Sequence, residues 1–271
     1  MADIPTDPIR APGPWDLPDA TPAQPPLRPQ GSRASRLAWA AISTALLAAW
    51  LGWTMGWVWA LGGVVGVFVH EYGHVLAMNA LGCGPGRIRI IPFLGGSATP
   101  ARAPDTEFKG VLIALAGPVF GLIATAPFFV VAALTHQPMW LQGALFISII
   151  SLLNLLPAPP LDGSKAFGPA LAAVHPWLER GALLAVGGAA VVWAFSRGNY
   201  LFAGLVAIAA YSSVRSGPLR PLAVRLTRPQ WAASVALYAV SAALCVGMLQ
   251  LTLSAAGVGR WTVVLQNLLR I

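Results

Sequence analysis

Residues 37–81 form an almost continuous apolar run. A membrane-spanning helix needs about 20 consecutive apolar residues, so this run is too long for one span and suits two. Four tryptophans lie between residues 50 and 59, and tryptophan collects at membrane interfaces. The sequence therefore predicts two spans, near 37–55 and 59–81, joined at a membrane surface.

Composition extends this prediction to the whole chain. Hydrophobic residues make up 56% of the 271 residues and charged residues only 10%, with a mean hydropathy of +0.68. Such values are typical of an integral membrane protein rather than a soluble domain. Further apolar runs predict spans near 110–134, 140–157, 181–195, 200–214 and 231–254. We therefore expect an all-α polytopic membrane protein with seven transmembrane helices, or six if 181–214 is one broken span.

Basic residues favour seven spans and a cytoplasmic N-terminus. In that topology 14 of the 17 Lys and Arg residues lie in cytoplasmic segments, as the positive-inside rule requires. Merging 181–214 into one span would place the arginines of 215–228 outside and break the pattern. We interpret the net charge of +8 as a consequence of this topology. Anionic lipid is the expected partner of the basic loops, and no binding of nucleic acid is expected. A multi-pass protein of a bacterial-type cell membrane is expected.

The two ends of the chain differ from the apolar middle. Nine of the first thirty residues are proline, so residues 1–36 are predicted to be a disordered, proline-rich cytoplasmic tail. Residues 37–254 would form the transmembrane domain. Apolar residues recur at helical spacing in 255–271, which predicts a C-terminal segment lying on the membrane interface.

A short β-hairpin is expected between the second and third spans. Residues 82–109 contain glycines, prolines and basic residues, and Arg87 to Ile90 alternate between polar and apolar, which indicates a strand. Gly95 and Gly96 would form the turn of this hairpin.

The most polar cluster within an apolar run is an H-E-x-x-H motif, residues 70–74. On a helix, residues four apart share a face, so the imidazoles of His70 and His74 can reach one metal ion. Two imidazoles and a carboxylate suit zinc with one position left open, and Glu71 can act as general base without binding the metal. The alternative is a pair of helix histidines that form hydrogen bonds to neighbouring spans.

A two-histidine site needs a third ligand, and the stretch "NLLPAPPLDG", residues 154–163, offers one. Its three prolines end an apolar span and leave free backbone carbonyls at membrane depth. Irregular backbone is tolerated there only when it is buried in protein or lines a wet cavity. Asp162 would lie at the mouth of that cavity. Alternatively, the stretch is an ordinary helix end with a solvated aspartate in a turn.

Together, the two stretches resemble the site-2 protease family of intramembrane zinc metalloproteases. That family pairs H-E-x-x-H on one transmembrane helix with N-x-x-P-x-x-x-L-D-G on a later helix. Every fixed position of the second signature is matched here, by Asn154, Pro157, Leu161, Asp162 and Gly163. The resemblance covers residues 59–165, less than half of the chain.

The resemblance implies a role for each polar residue of the two motifs. His70, His74 and Asp162 would be the zinc ligands, and Glu71 would be the general base. Asn154 would hold the substrate segment or its developing oxyanion.

Two glycine-containing segments also fit the family. Gly95 and Gly96 resemble its membrane-dipping hairpin, to whose edge an extended substrate could add as a strand; the alternative is a plain glycine turn. The segment "AGPVFG", residues 116–121, resembles the family's A-G-P segment, and we interpret its small residues as sites of close helix packing.

The expected function is hydrolysis of peptide bonds in or near transmembrane segments, as in regulated intramembrane proteolysis. The substrate would be a transmembrane protein such as a membrane-tethered regulator. The segment between the two motifs is too short for a PDZ domain, so the chain resembles the family's minimal branch, which includes the sporulation-type proteases. Two other classes stay open: a non-catalytic scaffold stabilised by its metal, and a transporter whose ionisable residues mark an ion path.

Overall fold

The structure is a computed structural model. It describes residues 33–91, 95–158, 161–198 and 226–257, together with a few isolated positions between 200 and 211. Most of the predicted N-terminal tail, most of the predicted span 200–214 and most of the predicted interfacial C-terminus lie outside the described residues.

The described residues are mostly helical and include one two-stranded sheet. In chain order the elements are α1 (Arg33–Thr54), α2 (Trp57–Ala80), β1 (Arg87–Ile91), β2 (Gly95–Thr99), α3 (Glu107–Ile123), α4 (Ala126–Thr135), a 3-10 turn (Pro138–Trp140), α5 (Leu141–Asn154), α6 (Asp162–Ala166), α7 (Gly168–Val174), α8 (Pro176–Ser196) and α9 (Arg228–Ala255).

Four helical segments of the described chain are long and apolar enough to cross a membrane. They are Trp57–Ala80, Glu107–Thr135, Trp177–Ser196 and Arg228–Ala255. Two shorter apolar helices, Ala38–Thr54 and Pro138–Asn154, lie where two more spans are predicted. A mostly helical fold with four candidate membrane spans and a short two-stranded hairpin is thus confirmed, while a total of six or seven spans stays a prediction.

The joint between α1 and α2 lies at the predicted tryptophan cluster. Gly56 has a φ of 108°, a backbone conformation that glycine adopts without steric cost, and the chain reverses there. The side chain of Trp53 is 90% exposed beside it, and Trp57 is also exposed. The ring of Trp53 is therefore available to lie at a membrane surface, whereas the ring of Trp57 also packs edge-on against Trp140, with centroids 5.0 Å apart.

Helix α2 lies at the centre of the fold and packs against α1, α3 and α5. Glycines permit this close packing. An added Cβ on Gly62 would lie 2.6 Å from the Cα of Gly143 in α5, and one on Gly66 would lie 2.7 Å from the side chain of Ile147. The two helix backbones are therefore almost in contact, as small residues allow in membrane helices.

The strands β1 and β2 pair in antiparallel register from Arg87 with Thr99 to Ile91 with Gly95. The predicted hairpin is present, but the prediction that Gly95 and Gly96 form its turn is wrong. Both glycines are the first residues of β2, because the pairing of the two strands extends as far as Ile91 with Gly95.

Candidate metal centre

The H-E-x-x-H motif lies in the C-terminal half of α2, on its buried side. His70, Glu71 and His74 are each only 5% exposed. One nitrogen from each imidazole and one oxygen of Glu71 lie within 4.8 Å of one another, so this group could hold a metal ion. The predicted helical spacing therefore brings both histidines to one point.

Asp162 reaches the same point from the start of α6. Its Oδ2 lies 2.9 Å from Nε2 of His70 and 3.2 Å from Nε2 of His74, and the two Nε2 atoms are 3.2 Å apart. Ligand atoms about 3.3 Å apart are expected around a tetrahedral zinc with bonds of about 2.0–2.1 Å. The three atoms therefore have the spacing of three corners of a zinc tetrahedron.

A backbone carbonyl in α3 sets the orientation of His74. Nδ1 of His74 lies 2.7 Å from the carbonyl oxygen of Ile113, which can only accept a hydrogen bond. Nδ1 therefore carries the proton, and in the neutral ring Nε2 directs its lone pair at Asp162. Histidine ligands of metals usually donate their other ring N–H in this way.

The charge balance of the three atoms also favours a cation. Nδ1 of His74 carries the proton that the Ile113 carbonyl accepts, so in the neutral ring Nε2 presents a lone pair to the carboxylate of Asp162. Two electron-rich atoms 3.2 Å apart repel unless a proton or a metal ion lies between them.

Two buried polar atoms of the motif have no hydrogen-bond partner among the described residues. They are Nδ1 of His70 and Oε2 of Glu71. Nδ1 of His70 lies near the tightly packed Gly121, where an added Cβ would lie 3.7 Å from this nitrogen and only 2.8 Å from Oγ of Ser151. Each of the two unpartnered atoms keeps a hydrogen-bonding position that no described residue fills.

Two carboxylates could therefore serve as the third metal ligand. Asp162 is the better candidate, because one of its oxygens is within 3.2 Å of both imidazole nitrogens. Glu71 lies beside the triangle, as expected for a base next to a metal.

The glycines of two other segments press against these side chains. An added Cβ on Gly96 would overlap the side chain of Glu71, so β2 covers the predicted base. An added Cβ on Gly117 would overlap the ring of His74 and lie 2.8 Å from Nε2 of His70. From the sequence, Gly117 was interpreted only as a packing residue of the A-G-P segment. That segment was the one sequence feature that could have indicated its contact with the two imidazoles.

The structure does not bring Asn154 to the triangle. It is the last residue of α5, and its Nδ2 donates to the carbonyl of Ile150 at 3.1 Å, one turn earlier. Its role towards the substrate stays a prediction, as does that of Gly95, which pairs with Ile91 in the hairpin.

Comparison with known proteins finds no family model, no curated protein and no solved structure that matches this chain. What the protein does must therefore be inferred from its own residues.

Proposed function

We propose that the protein is an intramembrane zinc metalloprotease of the site-2 protease type, which hydrolyses peptide bonds in or near the transmembrane segments of other proteins. The observation that carries the proposal is the triangle formed by Nε2 of His70, Nε2 of His74 and Oδ2 of Asp162, with Glu71 beside it. A helix long enough to cross a membrane carries three of these four residues.

Zinc suits the donor set better than other common metals. Two imidazole nitrogens and one carboxylate oxygen are typical of catalytic zinc sites, whereas magnesium and calcium prefer oxygen ligands throughout. Three protein ligands leave the fourth position open. When bound, zinc would supply Lewis acidity, which polarises a carbonyl and makes a water molecule a stronger acid.

Glu71 is the proposed general base. Its carboxylate is buried, and its Oε2 has no hydrogen-bond partner among the described residues, so it can accept the proton of the attacking water. The same group can then deliver that proton to the amide nitrogen that leaves. General acid–base catalysis of this kind contributes about 10²–10⁴-fold to a rate.

The site's surroundings indicate the kind of substrate. Because Glu71 lies within a membrane-length helix, the peptide bond must reach it from the membrane. A helical substrate hides its carbonyls, so the segment must unwind, and helix-breaking residues should accelerate cleavage. The contact between Gly96 and Glu71 supports a role for the hairpin in pairing with an extended substrate segment, which Asn154 would hold.

The membrane topology completes the proposal. We take the chain to have seven spans, or six, with a cytoplasmic N-terminus. The motif then lies in the cytoplasmic half of α2. Cleavage of a membrane-tethered regulator would release its product towards the cytoplasm.

The substitution Glu71→Gln tests the chemistry. The purified full-length variant should keep stoichiometric zinc and lose cleavage of a labelled single-span peptide that has two adjacent glycines in its apolar segment. The matched control is Glu179→Gln in α8, which should cleave like the wild type.

Two results would overturn the proposal. One is wild-type protein without stoichiometric metal, and the other is Glu71→Gln that cleaves at the wild-type rate. Trapping of substrates on Glu71→Gln in native membranes, followed by mass spectrometry, would identify the natural targets.

A further inference from the structure

Helix α9 lies outside both sequence motifs but contacts the segment that carries Asp162. The hydroxyl of Tyr238 donates to the carbonyl oxygen of Leu155 at 2.6 Å. The ring of Tyr238 stacks on Phe167, with centroids 4.6 Å apart and an interplanar angle of 20°. Leu155 directly follows α5 and Phe167 directly follows α6, so Tyr238 contacts the chain on both sides of Asp162.

The Leu155 carbonyl needs such a partner. It follows the last residue of α5, and the final carbonyls of a helix have no partner within the helix. Leu155 is only 2% exposed, and a buried carbonyl without a hydrogen bond is costly, above all in a membrane protein. The hydroxyl of Tyr238 satisfies this carbonyl and fixes its direction.

The Leu155 carbonyl also packs against the first turn of α6. An added Cβ on Gly163 would overlap the carbonyl oxygen of Leu155, so the first turn of α6 lies directly against it. Asp162 is the residue before Gly163. A displacement of the Leu155 carbonyl would therefore displace the backbone that aims Asp162 at the two imidazoles.

A second hydrogen bond from α9 fixes the chain further along. Nε1 of Trp231 donates to the carbonyl of Ala170 in α7 at 3.0 Å. Trp231 and Tyr238 are seven residues apart, which is two helical turns, so they share one face of α9. That face holds the segment from Leu155 to Ala170 at three positions.

We infer that Tyr238 is a positioning residue for the metal centre. Its hydroxyl holds the Leu155 carbonyl, Gly163 packs on that carbonyl, and Oδ2 of Asp162 is thereby kept within 3.2 Å of both imidazole nitrogens. The inference rests on the proposed function, because it assumes that Asp162 binds the metal. Direct hydrogen-bond partners of metal ligands change metal affinity by about 10–100-fold when they are removed. Tyr238 acts through the intervening backbone, so we expect an effect at the lower end of that range.

The substitution Tyr238→Phe in the full-length protein tests this role, because it removes the hydroxyl and keeps the ring that stacks on Phe167. Zinc affinity, measured by competition with a chelator, should fall about tenfold. The matched control is Tyr200→Phe, which removes the hydroxyl of an exposed tyrosine and should leave zinc affinity unchanged.

A double substitution separates positioning from general stability. In an Asp162→Ala background the hydroxyl has no metal-binding carboxylate to position, so adding Tyr238→Phe should change zinc affinity no further. A purely structural role would instead lower the melting temperature of the metal-free protein and leave the affinity of the single variant unchanged.

The possible failures are distinguishable. Wild-type zinc affinity in Tyr238→Phe, or an equal loss in the Asp162→Ala background, overturns this inference while the proposed protease stands. Wild-type protein that binds no zinc overturns the proposed function and this inference with it.

Discussion

The backbone of Gly117 in α3 lies against the imidazole edge of His74, and no methyl group fits between the two. An added Cβ would overlap Nε2 and Cε1 of His74 and lie 2.8 Å from Nε2 of His70. These nitrogens are the proposed zinc donors. The glycine therefore leaves open the space in which the donors converge.

We expect Gly117→Ala to abolish tight zinc binding, because its methyl group must push at least one imidazole away from the triangle. Zinc retained after dialysis against a chelator measures the effect, and a loss of at least about tenfold in affinity is expected. The control is Gly110→Ala in the same helix, where an added Cβ meets no atom within 4 Å among the described residues. Wild-type zinc content in Gly117→Ala would contradict the assigned geometry.

A second glycine separates catalysis from metal binding. An added Cβ on Gly96 would lie 2.6 Å from Oε1 of Glu71, so Gly96→Ala should displace the base and leave the zinc ligands in place. We expect peptide cleavage to fall about 10²-fold or more while zinc remains stoichiometric. Ser97→Ala is the control, because side chains alternate along a strand and residue 97 faces away from Glu71. Normal cleavage by Gly96→Ala would show that β2 moves freely away from Glu71.

The thiol of Cys83 should react slowly at neutral pH. Cys83 follows α2 and is buried, and burial raises the pKa of its thiol above the ordinary value. Because the thiolate is the nucleophile, its fraction is small at pH 7 and grows as the pH rises towards that raised pKa.

Maleimide labelling in a Cys245→Ala background leaves Cys83 as the single thiol of the chain. We expect the labelling rate to be well below that of the same protein unfolded in detergent at pH 7, and to rise with pH. An equal rate in the folded and unfolded protein at neutral pH would contradict a buried, protonated thiol.

The convergence of His70, His74 and Asp162 was largely predictable from sequence, for a local reason. His70 and His74 share a face because the helix repeats every 3.6 residues. Only Asp162, which is distant in sequence, had to be identified from a second motif. The contacts that orient the triangle were not predictable. The Ile113 carbonyl is 39 residues from His74, and Tyr238 is 83 residues from Leu155.

Tertiary pairing also explains the wrong prediction for the hairpin turn. Adjacent glycines are typical of turns, but the register between β1 and β2 is decided by cross-strand contacts that no local pattern contains. As a result, Gly96 lies within β2 against Glu71, where a side chain would not fit. A glycine required by a neighbouring side chain and a glycine required by a turn look the same in the sequence.

Contact between α2 and α5 gives the last prediction. Helix α2 carries His70 and His74, and α5 precedes the segment that contains Asp162. An added Cβ on Gly62 in α2 would lie 2.6 Å from the Cα of Gly143 in α5. Gly62→Ala must separate the two backbones, so we expect a loss of about 1–3 kcal/mol in the free energy of unfolding, measured by denaturant in detergent micelles. Gly188→Ala in α8 is the control, since its added Cβ meets no described atom within 4 Å and alanine favours a helix. If both variants unfold like the wild type, α2 and α5 are not held in backbone contact, and the short distance between His70 and Asp162 needs another support.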